Sequence, residues 1–225
     1  LERVGIYIPA GTAPLISTVY MTVLPAKIAG VKKIILTSPP DAHGNINPHI
    51  LVVADLLKVD EIYRVGGAHA IAGLAYGTKT IPKVDKIVGP GNVYVSEAKR
   101  QLFGIVDIDM VAGPTELVII ANRFSNPKFI AADLKAQAEH SKGVAVLITN
   151  SYGLAREVRS LVESTNNGII VVTKNLTQAV DISNKIAPEH LEIMVNNPQK
   201  LLKCVKHAGA VFLGPYSPTA VGDYV

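Results

Sequence analysis

Short runs of aliphatic and β-branched residues recur along the chain, each followed by a longer stretch whose apolar positions repeat at helical spacing. The runs at 4–8, 33–37, 61–65, 86–88 and 106–110 predict strands, and those at 116–121, 144–149, 168–172, 191–195 and 210–213 predict a second set. Helices are predicted between them over 13–29, 48–58, 68–76 and 93–103, then over 128–139, 153–163, 177–186 and 198–206. Apolar strands alternating with helices give α/β layers around mainly parallel sheets. The rhythm runs once before Ala112-Gly113-Pro114 and once after it. The expected architecture is therefore two Rossmann-like lobes, 1–112 and 113–225, with a cleft between them.

Composition narrows the class. Of 225 residues, 48% are hydrophobic and 18% charged, which suits a packed globular core rather than a disordered chain. The net charge of +4 is spread along the sequence, without the basic patches and interleaved aromatics of nucleic-acid binders. Every apolar stretch is interrupted before it reaches membrane-spanning length. The first residues carry no signal-peptide pattern. Cys204 is the single cysteine, which excludes an intramolecular disulfide and fits a reducing, cytoplasmic setting. It lies in an apolar helical stretch and is expected to be a core thiol. Leu1 is not an initiator methionine and Val225 follows a tyrosine, so both ends read as cuts in a longer protein.

Candidate chemistry begins at Ala187-Pro188-Glu189-His190-Leu191, where a carboxylate and an imidazole stand side by side after a helix-ending proline. Such a pair can divide acid-base work, one group activating water while the other takes a proton. It can equally be a solvated loop. Glycine turns follow three strands of the first lobe: Pro9-Ala10-Gly11, Gly66-Gly67-Ala68 and Gly89-Pro90-Gly91-Asn92. None completes the dinucleotide fingerprint, and each alone is an ordinary strand-to-helix turn, but together at one sheet edge they suit an anionic ligand. His69, just after the second turn, is placed to meet that ligand. Gln137 and His140 share a helix face, either as a solvated surface or, with Asp223, as a metal site. His43, His49 and His207 have no companion pattern and are expected at the surface.

Taken together these segments resemble the histidinol dehydrogenase family. The matching stretches include Gly5-Ile6-Tyr7-Ile8-Pro9, Val65-Gly66-Gly67-Ala68-His69-Ala70, Val88-Gly89-Pro90-Gly91-Asn92 and Ala98-Lys99-Arg100. They continue in family order through Asp109-Met110, Ala112-Gly113-Pro114-Thr115-Glu116, Gln137-Ala138-Glu139-His140, the Glu189-His190 motif and Gly222-Asp223-Tyr224. The resemblance implies NAD-dependent oxidation of L-histidinol to L-histidine by way of the aldehyde, with zinc holding the substrate. By it Glu189 and His190 are the catalytic pair, and Gln137, His140 and Asp223 are zinc ligands. Tyr7, His69 and Asn92 contact NAD, and Thr115, with Gln137, His140, His190 and Asp223, meets the substrate. The first lobe then binds NAD, the second binds zinc and substrate, and the partner is a second copy in a homodimer.

Two departures stand out. The family usually carries glutamine where this chain has His69. It is also longer at both ends, and its terminal segments supply a fourth zinc ligand, a histidine, and further substrate contacts across the dimer interface. The alternative reading is a non-catalytic ligand-binding core of the same fold. A thiol-type aldehyde dehydrogenase shares the two-lobed build but requires a reactive cysteine, and the setting of Cys204 does not provide one.

Overall fold

The computed structural model describes residues 1–10, 14–113, 115–139, 143–162 and 168–223, with Asp223 described in its backbone only. The chain divides into two compact units, Leu1–Ala112 and Gly113–Val225. The first holds β1 (Arg3–Tyr7), α1 (Ile16–Ile28), β2 (Lys33–Ser38), α2 (Pro48–Leu56), β3 (Glu61–Arg64), α3 (Gly67–Tyr76), β4 (Lys86–Val88), α4 (Val93–Leu102) and β5 (Asp107–Ile108). The second holds β6 (Glu116–Ala121), α5 (Pro127–Ala138), β7 (Val144–Thr149), α6 (Tyr152–Leu161), β8 (Gly168–Val172), α7 (Leu176–Ile186), β9 (His190–Met194), α8 (Pro198–Leu202), β10 (Ala210–Leu213) and a 3₁₀ turn, Thr219–Asp223.

Each unit is built on one five-stranded, wholly parallel sheet. The orders are β3-β2-β1-β4-β5 and, read from the opposite edge, β8-β7-β6-β9-β10. Numbered within each unit, these are the same order, so the repeated sequence rhythm is a repeated topology. Parallel strands covered on both faces need continuous apolar runs, which is what β2, β6 and β7 carry. In the second unit Leu117, Ile119 and Met194 face α5 and α6. Val118, Ile120, Leu191 and Ile193 face the other way, packing with Ala179 and Val180 of α7.

Helix starts follow local chemistry. Asn47, Asn92, Asn126, Ser151 and Asn175 each accept a hydrogen bond from a first-turn amide, and proline fills the first helical position of α2 and α5. At the end of α7, Ala187 takes a left-handed conformation (φ 53°) directly before Pro188, so the chain leaves the helix there and enters β9.

Some boundaries differ from the sequence reading. Helix α1 starts at Ile16, because the Leu15 amide turns back to the Pro9 carbonyl. The strand expected over 106–110 shrinks to Asp107–Ile108, since Asp109 turns aside to hold a neighbouring loop. Helix α8 stops at Leu202, and Cys204 beyond it is exposed rather than a core thiol. The backbone there leaves the helix because Asn184 binds the Cys204 carbonyl and the Lys206 amide. His43, His49 and His207 are exposed.

Candidate functional site

The expected site residues fall into one group in each unit. In the second unit they gather at the amino edge of the sheet. Thr115 directly precedes β6, and α5, running back against the strands, brings Gln137 to the same edge. Gln137 is buried, and its Nε2 donates to the Thr115 carbonyl at 3.0 Å and to Thr115 Oγ1 at 3.2 Å. A carbonyl can only accept, so the amide nitrogen must face Thr115. Oε1 is then the atom with which Gln137 can meet a ligand. The view of Gln137 on a solvated helix face is therefore corrected: this residue lies on the inner face of α5.

His190 opens β9 at the level of Leu117 in β6, two residues along from Thr115. Its Nδ1 lies 3.8 Å from Glu189 Oε2, outside hydrogen-bonding range, and is buried without a partner among the described residues. Glu189 is the more exposed of the pair, at 47% against 27% for the His190 side chain. One group is thus open to water and the other half-enclosed. The His190 ring leans on Phe212, with centroids 6.0 Å apart. Gly222 also lies against the Phe212 ring, where a Cβ would come within 2.8 Å of Cζ. The backbone just before Asp223 is therefore packed beside His190 through one shared aromatic. His140 lies outside the described residues, as does the Asp223 side chain. The Gln137 amide oxygen, turned away from Thr115, and a buried imidazole nitrogen without a partner among the described residues fit a cation-and-substrate site of the kind the sequence suggested.

Sequence reasoning passed over two acids beneath this edge. Glu192, two residues along β9, is fully buried, and Asp133 sits one helical turn before Gln137. Burial pushes Glu192 up to about 7, with the Asp133 charge adding to the effect, and burial also raises Asp133. The available signal was a glutamate inside an apolar strand on the same face as His190 and Met194.

In the first unit the glycine turns after β3 and β4 stand at the carboxyl edge of one parallel sheet, as do Pro9 and Ala10 after β1, while Gly11 lies outside the described residues. Tyr7 is buried, and its hydroxyl accepts from the Gly67 amide at 3.1 Å, occupying the first donor of α3. His69 is exposed in the first turn of that helix. Asn92 is exposed, and its side-chain oxygen caps α4 by accepting from Tyr94 and Val95 at 3.1 Å each. Gly89 cannot be replaced without strain: its φ is +113°, and a Cβ would lie 2.2 Å from the Tyr7 carbonyl oxygen. Its peptide is gripped from both sides. Asp109 accepts from the Gly89 amide at 2.7 Å, and buried Lys99 donates to the Gly89 carbonyl at 3.0 Å while pairing with Asp109. This clamp was also missed, although Lys99 stands four residues after buried Val95 on the inward face of α4.

Comparison with known proteins bears on the whole chain. The family model described as histidinol dehydrogenase matches residues 1–225. A histidinol dehydrogenase of Bacillus cereus is 54% identical over all of this chain and 56% of its own length. One of Listeria monocytogenes is 52% identical with the same coverage. The crystal structure of histidinol dehydrogenase from Elizabethkingia anophelis superposes with a TM-score of 0.92 at 41% identity, over 100% of this chain and 55% of that one. An NAD-dependent aldehyde dehydrogenase from Burkholderia multivorans, 12% identical with a TM-score of 0.58, shares the fold alone; it covers 95% of this chain and 55% of its own. The chain thus spans little more than half the length of the relatives it matches.

Proposed function

As the chain belongs to the histidinol dehydrogenase family, we propose that it is the core of an NAD-dependent enzyme that oxidises L-histidinol through the aldehyde to L-histidine, the last two steps of histidine biosynthesis. The observation that carries the proposal is the grouping at one sheet edge of Glu189, His190, Thr115 and Gln137, whose Oε1 is left for a ligand. In this reading the first unit binds NAD and the second binds zinc and substrate. The protein works in the cytoplasm as a homodimer. Among the described residues no helix is long and apolar enough to cross a membrane.

His190 acts as general base. It takes the hydroxyl proton of the alcohol as the carbon-bound hydrogen departs as hydride, so proton and hydride leave together. The aldehyde has no such hydroxyl until water adds to it. Glu189, open to solvent, accepts a proton from that water while His190 returns the proton it holds to the aldehyde oxygen, and the regenerated His190 then takes a hydroxyl proton of the hydrate in the second oxidation. Splitting the roles lets one site serve both steps. NAD, when bound, accepts the hydride, and the turns carrying His69 and Asn92, braced by Tyr7, are the proposed contacts. Zinc, when bound, supplies a charged anchor for the substrate's imidazole and amino group, with Gln137, His140 and Asp223 as its proposed ligands. Thr115 orients Gln137 and lines the substrate position.

Histidinol-dependent NADH formation in the presence of zinc tests the proposal. Substrate binding without turnover would instead favour a non-catalytic binding core.

A further inference from the structure

Below the proposed site the same two faces carry a second polar layer. Glu192 lies in β9 between β6 and β10, level with Ile119 and Phe212, and none of its surface reaches solvent. One of its oxygens, Oε1, accepts from the Thr219 amide at 2.8 Å and from Thr219 Oγ1 at 2.6 Å. The other, Oε2, is buried and finds no protein N–H or hydroxyl donor among the described residues. The carboxyl of Asp133 on α5 lies against the Glu192 carboxyl. Two ionised carboxylates in contact, one of them fully buried and the other half-buried, repel each other, whereas a single proton between them removes one charge and supplies the missing donor. With Oε2 satisfied in that way, Oε1 is fixed where it receives both Thr219 bonds.

Thr219 is the first residue of the turn that ends at Asp223. Gly222 of that turn also seats on Phe212, which touches His190. Among the described residues the turn therefore meets the β9–β10 pair at Glu192 and at Phe212, and the Glu192 contact is the polar, directional one of the two. We propose that Glu192, hydrogen-bonded to both Asp133 and Thr219, is a positioning residue that pins the Thr219–Asp223 turn to the strand carrying His190. It touches none of the reacting atoms. Its consequence for ligand binding rests on the preceding reading of Asp223 and His190, but the pinning itself does not.

Hydrogen–deuterium exchange of the turn amides separates this role from a general packing role, using the unmodified chain, Glu192→Gln, Glu192→Leu and Thr219→Val. Glutamine keeps an acceptor for Thr219 and offers its NH₂ to Asp133, so exchange over 219–223 should stay within about threefold of the unmodified chain. Leucine removes the acceptor and should speed that exchange about tenfold or more, with β6 and β7 amides unchanged. Thr219→Val, which removes one donor and disturbs no core residue, should give a smaller acceleration and serves if the leucine variant does not fold. Unchanged exchange in the folded leucine or valine variant would overturn the proposal, as would a glutamine variant as fast as leucine. Titration with zinc ion alone of the protein at the full length its gene encodes reports separately on the site reading. Failure to bind zinc would count against that reading and leave the exchange result to decide the pinning.

Discussion

Replacing Lys99 by methionine removes a cation from inside α4 at nearly constant volume, so the loss is electrostatic rather than a cavity. Two groups lose their donor: the Gly89 carbonyl, now 3.0 Å from Nζ, and the Asp109 carboxylate. Breaking one side of a buried ion pair costs about 3–5 kcal/mol. Asp109 retains 31% exposure and keeps the Gly89 and Met110 amides, at 2.7 and 2.6 Å. Water can therefore reach part of the stranded charge, and about 2–3 kcal/mol is expected. Adding Asp109→Asn removes that charge but leaves an oxygen to accept from Gly89, so the double variant should recover about 1 kcal/mol or more. Urea unfolding followed by circular dichroism measures all three proteins. Because the clamp holds the turn leading into Asn92, NAD affinity should fall with the single substitution as well. A Lys99→Met variant within about 0.5 kcal/mol of the parent, or a double variant less stable than the single one, would refute the reasoning.

Three further outcomes follow from the same geometry. Because burial lifts Glu192 from 4.5 to about 7, the folded chain holds a proton that the unfolded chain has released above 4.5. Stability should therefore decline between those values as pH rises, by on the order of 3 kcal/mol, and Glu192→Gln should flatten the slope of urea midpoints against pH. His190→Asn should slow both oxidations about a hundred- to ten-thousand-fold, whereas Glu189→Gln should slow aldehyde oxidation more than alcohol oxidation in separate assays with each substrate. Gly89→Ala, with its Cβ 2.2 Å from the Tyr7 carbonyl, should cost about 3 kcal/mol or more, while Gly104→Ala, equally left-handed at φ +98° but in open space, should cost about 1 kcal/mol in the same unfolding assay.

The elements of the fold were legible because a parallel strand covered on both faces announces itself as an apolar run, as in Glu116–Ala121 and Val144–Thr149. Periodicity says nothing about where backbone hydrogen bonds turn aside. The ends of the 13–29 and 106–110 segments were misplaced because Leu15 binds Pro9 and Asp109 binds Gly89. Glu189 and His190 stood out as chemically able neighbours, but the partners that place their edge are distant in sequence. Gln137 meets Thr115 across 22 positions, and Thr219 meets Glu192 across 27. The glycine turns after β3 and β4 were correctly assigned to one sheet edge. The charges beneath them and beneath the second site were not, because Lys99, Asp133 and Glu192 look like ordinary surface residues until the inward face of each element is known.

If one site performs both oxidations, the ratio of NADH formed to L-histidine released is fixed. The protein, at the full length its gene encodes, is incubated with zinc, NAD and L-histidinol, and both products are quantified in the same sample. Two NADH are expected for each L-histidine, with no free aldehyde accumulating. Folded, zinc-loaded protein that forms no NADH, or forms one NADH per substrate and releases the aldehyde, would contradict that expectation.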